Sequence, residues 1–416
     1  MFVIKALREL FFPSVWMRQS RNWRIVSLRS LFNKFFTRLT ADYSNIYIRA
    51  LGADPVQLGI VNSFTHISGA ITATPLGWLQ DRFSLRKIFL LGVAVHLSVL
   101  SIYSFATSWA MIIPAMILTA AVSRIGNCLV ICDVSVNPED RSTCKGICDG
   151  FFALPSILGP VLAAFIITYF GGIGVEGIRP VYWIQLVGET VCFLVLLLLL
   201  KEVARPKVSE RSGFIGDYRE VFKRGIALKW YIILSVVRTF TSGLATPFTK
   251  PFANEIKGAD QFLLGAMSTG TFIIQVLFSG PIGRLADKIG RRKVYFMMEP
   301  FYFLSILMLV FAPSSEFLIM SSILGGFRAI TGYVCMTPLM VDLVPIECIG
   351  RWRGILGVID GVCSIPAPVI GGFIWTTIGP SYLILIPLLI ELVASLPLLM
   401  MIPDKVTHKE RFNNIQ

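Results

Sequence analysis

Inside an otherwise apolar run, Lys34, Thr37, Arg38, Ala41, Asp42 and Asn45 stand at positions i, i+3, i+4, i+7, i+8 and i+11. That spacing puts them on one face of a helix. Three more apolar runs carry comparable residues: Arg124 with Asn127, then Arg238 with Ser242, Thr246 and Thr249, then Arg328. Ionisable groups are expensive in hydrocarbon, so charge inside such a run marks a functional interior or a water-filled cavity. A guanidinium grips a carboxylate or phosphate through a two-pronged fork. Inward arginines therefore suggest an anionic ligand. The competing expectation is structural, because Arg38 and Asp42 are four apart and can pair with each other.

Coupling to protons requires a group whose proton affinity responds to burial or to a bound charge. Asp42 is the first choice. Asp149 and Asp360 lie near the ends of their runs and suit a gate better. Glu189, Glu299 and Glu391 are further acids within apolar runs. His66 and His96 are expected to be buried, hydrogen-bonded histidines.

These residues need elements to hold them, and composition says what kind. The chain has 416 residues, 55% hydrophobic and 15% charged, with net charge +13. A soluble domain carries about 25% charge, so the expected solvent is a bilayer. A spanning helix needs roughly 20 apolar residues, and the chain has room for about a dozen. Apolar runs fall near 25–49, 56–80, 88–107, 109–133, 146–170 and 181–200, then near 230–253, 262–283, 294–313, 316–342, 354–378 and 381–402. The expected organisation is an amino-terminal segment 1–24, a six-helix bundle 25–200, a linker 201–229, a second bundle 230–402 and a tail 403–416. The first segment reads as an interfacial helix and not as a cleaved signal.

Of the 38 Lys and Arg, twenty-eight fall at the termini or in loops after even-numbered runs. Only Arg49, Arg179 and Lys257 fall on the other side. This bias places both termini in the cytoplasm and explains the basic balance without nucleic acid. The eight cysteines form no CxxC pair, and no metal site or cofactor is expected. No GxxxxGK[ST], HExxH or GxSxG appears, which argues against direct ATP drive and against an enzyme.

The two sets of runs repeat each other. Gly52, Ala53, Asp54, Leu58 and Gly59 recur 206 residues later as Gly258, Ala259, Asp260, Leu264 and Gly265. At the same offset Gly77, Leu79, Asp81 and Lys87 match Gly283, Leu285, Asp287 and Lys293. Further on, Asp133 answers Asp342, and Asp149 with Pro155 answers Asp360 with Pro366. Six runs per unit is even, so the copies should be related by a pseudo-two-fold axis along the membrane normal.

The segment Gly283-Arg284-Leu285-Ala286-Asp287-Lys288-Ile289-Gly290-Arg291-Arg292-Lys293 resembles the signature loop of the major facilitator superfamily. The first copy, Gly77 to Lys87, includes Asp81 and Arg82 and departs at Ser84 and Leu85. The resemblance covers roughly residues 25 to 402. It implies an all-α membrane protein with twelve transmembrane helices in two pseudo-symmetric six-helix bundles. It also implies that the first, fourth, seventh and tenth spans line a cavity, while the sixth and twelfth face outward.

Gly77 and Gly283 are expected to admit a neighbouring helix closely. Asp81 and Asp287 would meet Arg86 and Arg141, or Arg292 and Arg351, with Asp133 and Asp342 completing each cytoplasmic gate. Gly159-Pro160 is similar to part of an antiporter motif of drug exporters. The expected function is a secondary transporter of the cell membrane that moves a small organic solute by alternating access, most simply proton-coupled efflux by a monomer. The alternatives are an organic-anion uniporter, symporter or exchanger, and a transporter-like receptor without flux.

Overall fold

The computed structural model describes residues 17, 19–125, 136, 144, 155–202, 227–344 and 349–403, with backbone only at 73–75, 77–82, 123–125, 156 and 349–351. Every described element is helical. The first half holds α1 (Arg21–Ala41), α2 (Ser44–Ala50), α3 (Pro55–Arg82), α4 (Leu85–Phe105), α5 (Ile112–Ile125), α6 (Pro155–Tyr169) and α7 (Val175–Leu199). The second holds α8 (Leu228–Pro251), α9 (Gln261–Ile289), α10 (Arg291–Val310), α11 (Ser315–Thr331), α12 (Thr337–Asp342), α13 (Ile349–Ser364), α14 (Ala367–Thr377), α15 (Pro380–Ile390) and α16 (Leu396–Met400). Seven described helical stretches are long and apolar enough to cross a bilayer, consistent with the twelve-span expectation. Stretch α1 is not among them, because Arg21, Arg24, Arg29, Lys34 and Arg38 make it too polar.

The repeated Gly-Ala-Asp segment has a local physical cause. Gly52 and Gly258 turn the chain with φ of 94° and 69°, a region that side chains rarely adopt. Ala53 and Ala259 are buried beneath the turn. Asp54 then caps α3 by accepting from the Gln57 N–H at 2.8 Å, while Gln57 Oε1 accepts from the Asp54 N–H at 2.9 Å. Asp260 caps α9 by accepting from the Leu263 N–H at 2.8 Å. An N-cap satisfies amides that have no intrahelical partner.

The same repeat builds the seam between the halves. A Cβ at Gly59 would overlap the Pro368 carbonyl of α14, and one at Gly265 would press on the Pro160 carbonyl of α6. One turn along, Ser63 Oγ donates to the Ile365 carbonyl at 2.7 Å and Thr269 Oγ1 donates to the Ile157 carbonyl at 3.1 Å. Ser63 and Thr269 are again 206 apart. Small residues at these positions let helices meet backbone to backbone, the main source of association where lipid offers no hydrophobic drive. Pro160, singled out in the sequence, is thus part of an inter-half contact.

The signature loops differ from expectation in three ways. A Cβ at Gly283 would stand 3.6 Å from Val334, an ordinary contact, so no close helix approach requires that glycine. Gly290 does need to be glycine, since it links α9 to α10 at φ 107°. Its counterpart Ser84 instead caps α4, accepting from the Lys87 N–H at 3.2 Å. Arg86 and Arg292, assigned as partners of Asp81 and Asp287, reach the ends of the last helices of their halves. Arg86 donates to the Leu197 carbonyl at 3.1 Å, and Arg292 donates to the carbonyls of Met400 and Ile402 at 3.0 and 2.8 Å. Terminal carbonyls lack intrahelical donors and carry the negative end of the helix dipole, which draws the guanidinium there. Asp342 pairs with Arg291. Asp287 and Lys288 are exposed. Gly77, Asp81, Arg82 and Arg351 are described by backbone alone, and Asp133 and Arg141 lie outside the described residues.

Gly59→Val should lower the melting temperature of the purified protein by the equivalent of about 1–3 kcal/mol, the usual cost of overpacking. Gly354→Ala, where nothing lies within 4 Å of the added carbon, should leave it unchanged or slightly raised. Equal melting of the two variants would refute the seam assignment.

Candidate substrate cavity

The halves enclose a cavity of about 490 Å³. Arg38 and Asp42 line it from the first half; Thr246, Thr249 and Lys250 of α8, Phe272 and Gln275 of α9 and Tyr302 of α10 line it from the second. A recess of about 280 Å³ adjoins it, lined by Arg238, Ser242 and Glu391. The two spaces share Thr246, Thr249, Tyr302, Ile306 and Arg328. Of the residues predicted from helical spacing, the fold brings Arg38, Asp42, Arg238, Ser242, Thr246 and Arg328 together here.

The recess is built around Arg328. Its guanidinium bonds Glu299 through one arm and Glu391 through the other, the latter at 2.9 Å. Tyr295 donates to Glu391 Oε1 at 2.6 Å and accepts from Arg238 Nη1 at 2.6 Å. The rings of Tyr295 and Tyr302 lie 5.2 and 4.7 Å from the Arg328 carbon, close enough for cation–π attraction. Charges taken out of water survive only when paired and hydrogen-bonded. Four helices therefore converge on one neutral cluster of two arginines and two glutamates. The chain bends to allow it: π-helical segments Gly332–Met336 and Glu391–Ser395 follow Arg328 and begin at Glu391. Such segments rotate the following turn and often mark functional sites.

Glu189 and Glu391 overturn the expectation that the sixth and twelfth spans present only an outer face. Both are buried, although Leu198 and Val393 on the same spans are 78% and 74% exposed. Glu189 lies 3.5 Å from Arg29 and accepts from Asn33 at 2.6 Å. One face of each span meets lipid while the opposite face carries the acid inward.

On the first-half side, Asp42 pairs across the cavity with Lys250 at 3.5 Å and not with Arg38. Lys250 also donates to Ser268 Oγ at 2.6 Å. The Arg38 guanidinium lies 4.2 Å from the Phe272 ring centroid, and no described carboxylate stands within ion-pair distance of it. Asn45 accepts from Asn62 of α3 at 3.1 Å. Lys34 is half-buried on α1. Asp360 accepts from Ser235 at 2.7 Å, which ties α13 to α8. Arg124 is described by backbone alone; Asn127 and Asp149 lie outside the described residues.

Sequence reasoning left Lys250, Phe272, Tyr295 and Tyr302 out of the site and gave Glu299 and Glu391 no role there. Lys250 had a signal, since it stands four residues after Thr246 on the α8 stripe. The tyrosines and Phe272 had none, because aromatic residues are common throughout these helices.

Beyond the cavity, at the end away from Asn22, the halves are clasped. Arg49 grips Glu255 with two bonds of 2.7 and 2.9 Å. These two residues occupy equivalent positions of the repeat, 206 apart. Tyr43 donates to the Gln261 carbonyl at 2.9 Å, and Gln261 donates to Thr168 at 2.7 Å.

The family model described as Major Facilitator Superfamily matches residues 30–254 and 231–416. Multidrug resistance protein MdtG of Dickeya zeae is 24% identical over 305 residues, covering 70% of this chain and 71% of that protein. Tetracycline resistance protein, class H, of Pasteurella multocida is 28% identical over 38% of this chain and 42% of its own length. Among solved structures, nucleoside transporter NupG aligns with TM-score 0.69 at 13% identity, covering 92% of this chain and 99% of that one. A bacterial homologue of the human lysosomal transporter Spinster, in an inward-facing and occupied conformation, aligns with TM-score 0.63 at 13% identity, over 94% and 96%.

Glu391→Ala should destabilise the protein by about 3–5 kcal/mol, because it leaves a buried guanidinium short of a partner. Glu391→Gln, which keeps an acceptor, should cost less. Thermal unfolding in detergent measures both, and a silent Glu391→Ala would remove the cluster from any structural role.

Proposed function

The chain belongs to the major facilitator superfamily, and from that premise we propose that it exports a small organic solute by proton-coupled alternating access. It is a multi-pass membrane transporter and not an enzyme. The proposal adds twelve spans, cytoplasmic termini, a cell-membrane location and function as a monomer. The observation that carries it is the cavity lined from both halves and crossed by the Asp42–Lys250 pair. Asp42 and Lys250 come from different halves, so their contact must change when the halves rock.

The clasp at Arg49 and Glu255 closes one end of this path, and the signature loops frame the other. Alternating access requires each closure to form in one state and break in the other. The names of the multidrug and tetracycline resistance relatives support export. Asp42 on the cavity, Glu391 on the recess and Glu299, buried behind Arg328, are the groups available to carry a proton. Uptake or exchange of an organic anion is the second reading, favoured by the Arg38 guanidinium, which lines the cavity with no described carboxylate within ion-pair distance.

Two experiments test this. In proteoliposomes, an imposed pH gradient should drive accumulation of a solute, and Glu299→Gln should abolish the gradient dependence while leaving downhill exchange. Flux indifferent to the gradient in the unmodified protein would refute proton coupling, and ligand binding without any flux would favour a receptor. Separately, Arg49→Glu should raise labelling of a cysteine placed at Thr246 from the outer side by several-fold. The double variant Arg49→Glu with Glu255→Arg should restore the original labelling. Unchanged labelling in the single variant would show that the clasp does not gate.

A further inference from the structure

We propose that the cavity selects an organic monoanion that also carries a neutral hydrogen-bond donor, its oxyanion on Arg38 and its donor on Asp42. The proposal rests on reading this cavity as the solute site, and it names the class of solute.

Charge comes first. The described walls of the cavity and its recess carry four cationic side chains, Arg38, Arg238, Lys250 and Arg328, against three acids, Asp42, Glu299 and Glu391. With the acids ionised the sum is one positive charge. Arg328 holds both glutamates, Arg238 reaches Glu391 through Tyr295, and Lys250 faces Asp42. Neither Arg38 nor Arg238 has a described carboxylate within ion-pair distance, but Arg238 is held by the Tyr295 hydroxyl, while Arg38 lines the larger cavity. A ligand of charge −1 balances the site, whereas a zwitterion leaves the excess and a dianion overshoots it. In a low-dielectric enclosure that difference dominates the choice of ligand charge.

Geometry then sets the groups. Arg38 is held from two directions. Its backbone packs on Gly159 of α6, where a Cβ would collide with the Arg38 side chain. Its guanidinium lies against the Phe272 ring, 4.2 Å from the centroid. Guanidinium donors lie in the plane of the group, so packing on the ring leaves the edge for a planar acceptor such as a carboxylate.

Asp42 supplies the second contact. Its Oδ2 is buried and has no hydrogen-bond partner, while Oδ1 faces Lys250. A buried acceptor left unpaired costs free energy, and a ligand donor recovers it once the Asp42 carboxylate turns that oxygen toward the cavity. Arg38 and Asp42 are four residues apart, so their Cβ atoms are about 6 Å apart along one helix face. The rest of the cavity offers Met267, Phe272, Ile306 and Tyr302 to an apolar body, and its volume of about 490 Å³ lies in the range of small-molecule sites.

The test uses thermal stability of the purified full-length protein with five probes of similar size: phenyllactate, 3-phenylpropionate, phenylalanine, phenylsuccinate and tetraphenylphosphonium. A ligand that binds only the native state raises the melting temperature in proportion to its affinity. Phenyllactate should bind best, roughly tenfold tighter than 3-phenylpropionate, the value of one hydrogen bond to a charged acceptor. Arg38→Gln should abolish stabilisation by both acids. Arg38→Lys, which keeps the charge and loses the fork, should weaken both by a similar factor and guards against a folding defect in the first variant. Asp42→Ala should erase the preference for phenyllactate over 3-phenylpropionate, whatever it does to either alone.

Equal binding of those two acids by the unmodified protein overturns the proposal. So does stabilisation by tetraphenylphosphonium alone, by none of the probes, or by acids that survive both Arg38 variants. Binding as expected without flux in vesicles would overturn the transporter reading and leave the ligand class standing. Flux of cations without binding of the acids would do the reverse.

Discussion

Two helices reach backbone contact only where no side chain stands between them, and the meeting of the halves depends on that constraint. Gly59 on Pro368 and Gly265 on Pro160 are the same contact made twice, once from each half. The hydrogen bonds from Ser63 and Thr269 lock the same two seams one turn further on. Because these contacts are close, the polar faces of α1 and α8 are brought together and shielded from lipid. The cavity is what remains between them.

A second constraint follows from the first. Once α1 and α8 face an enclosed space, their charges lose bulk water and need partners. The second half answers with a closed cluster in which Arg328 serves two glutamates and Tyr295 relays Arg238 to one of them. The first half answers with the Arg29 and Glu189 pair, deeper in its own bundle. Arg38 and Asp42 are treated differently: one rests on an aromatic ring and the other reaches across to Lys250. The halves thus share a scaffold and have diverged in their charges. At the clasp the divergence is plainest, since equivalent positions became Arg49 and Glu255. Identical charges there would repel across the 2.7 Å contact.

Much of this was legible in sequence because it is local or periodic. Apolar runs near 20 residues place helices. The Gly-Ala-Asp repeat announces a turn, a buried small residue and an N-cap, each explained within five residues of chain. Of the stripe Lys34 to Asn45, Arg38 and Asp42 line the cavity, and of the stripe Arg238 to Thr249, Thr246 and Thr249 line it while Arg238 and Ser242 line the recess. Gly283 lies inside α9 with Val334 at ordinary contact distance, so a glycine in the motif does not by itself announce a close helix approach. The contacts of Arg86 and Arg292 with helix-end carbonyls were not anticipated, because such carbonyls are invisible to a search for acids.

The sequence by itself determined the membrane class, the duplication, the positions of the helices and the family, since each rests on composition, period or a contiguous motif. Only the tertiary structure decided which charge meets which. Arg38 and Asp42 look paired at four residues' spacing, yet Lys250, 208 positions from Asp42, takes the acid and Phe272 takes the guanidinium. Glu391 looks misplaced on an outer span, yet it completes the Arg328 cluster. Pairing of charges in an enclosed cavity depends on distances across helices, and those are set by the seam between the halves and by no interval along the chain.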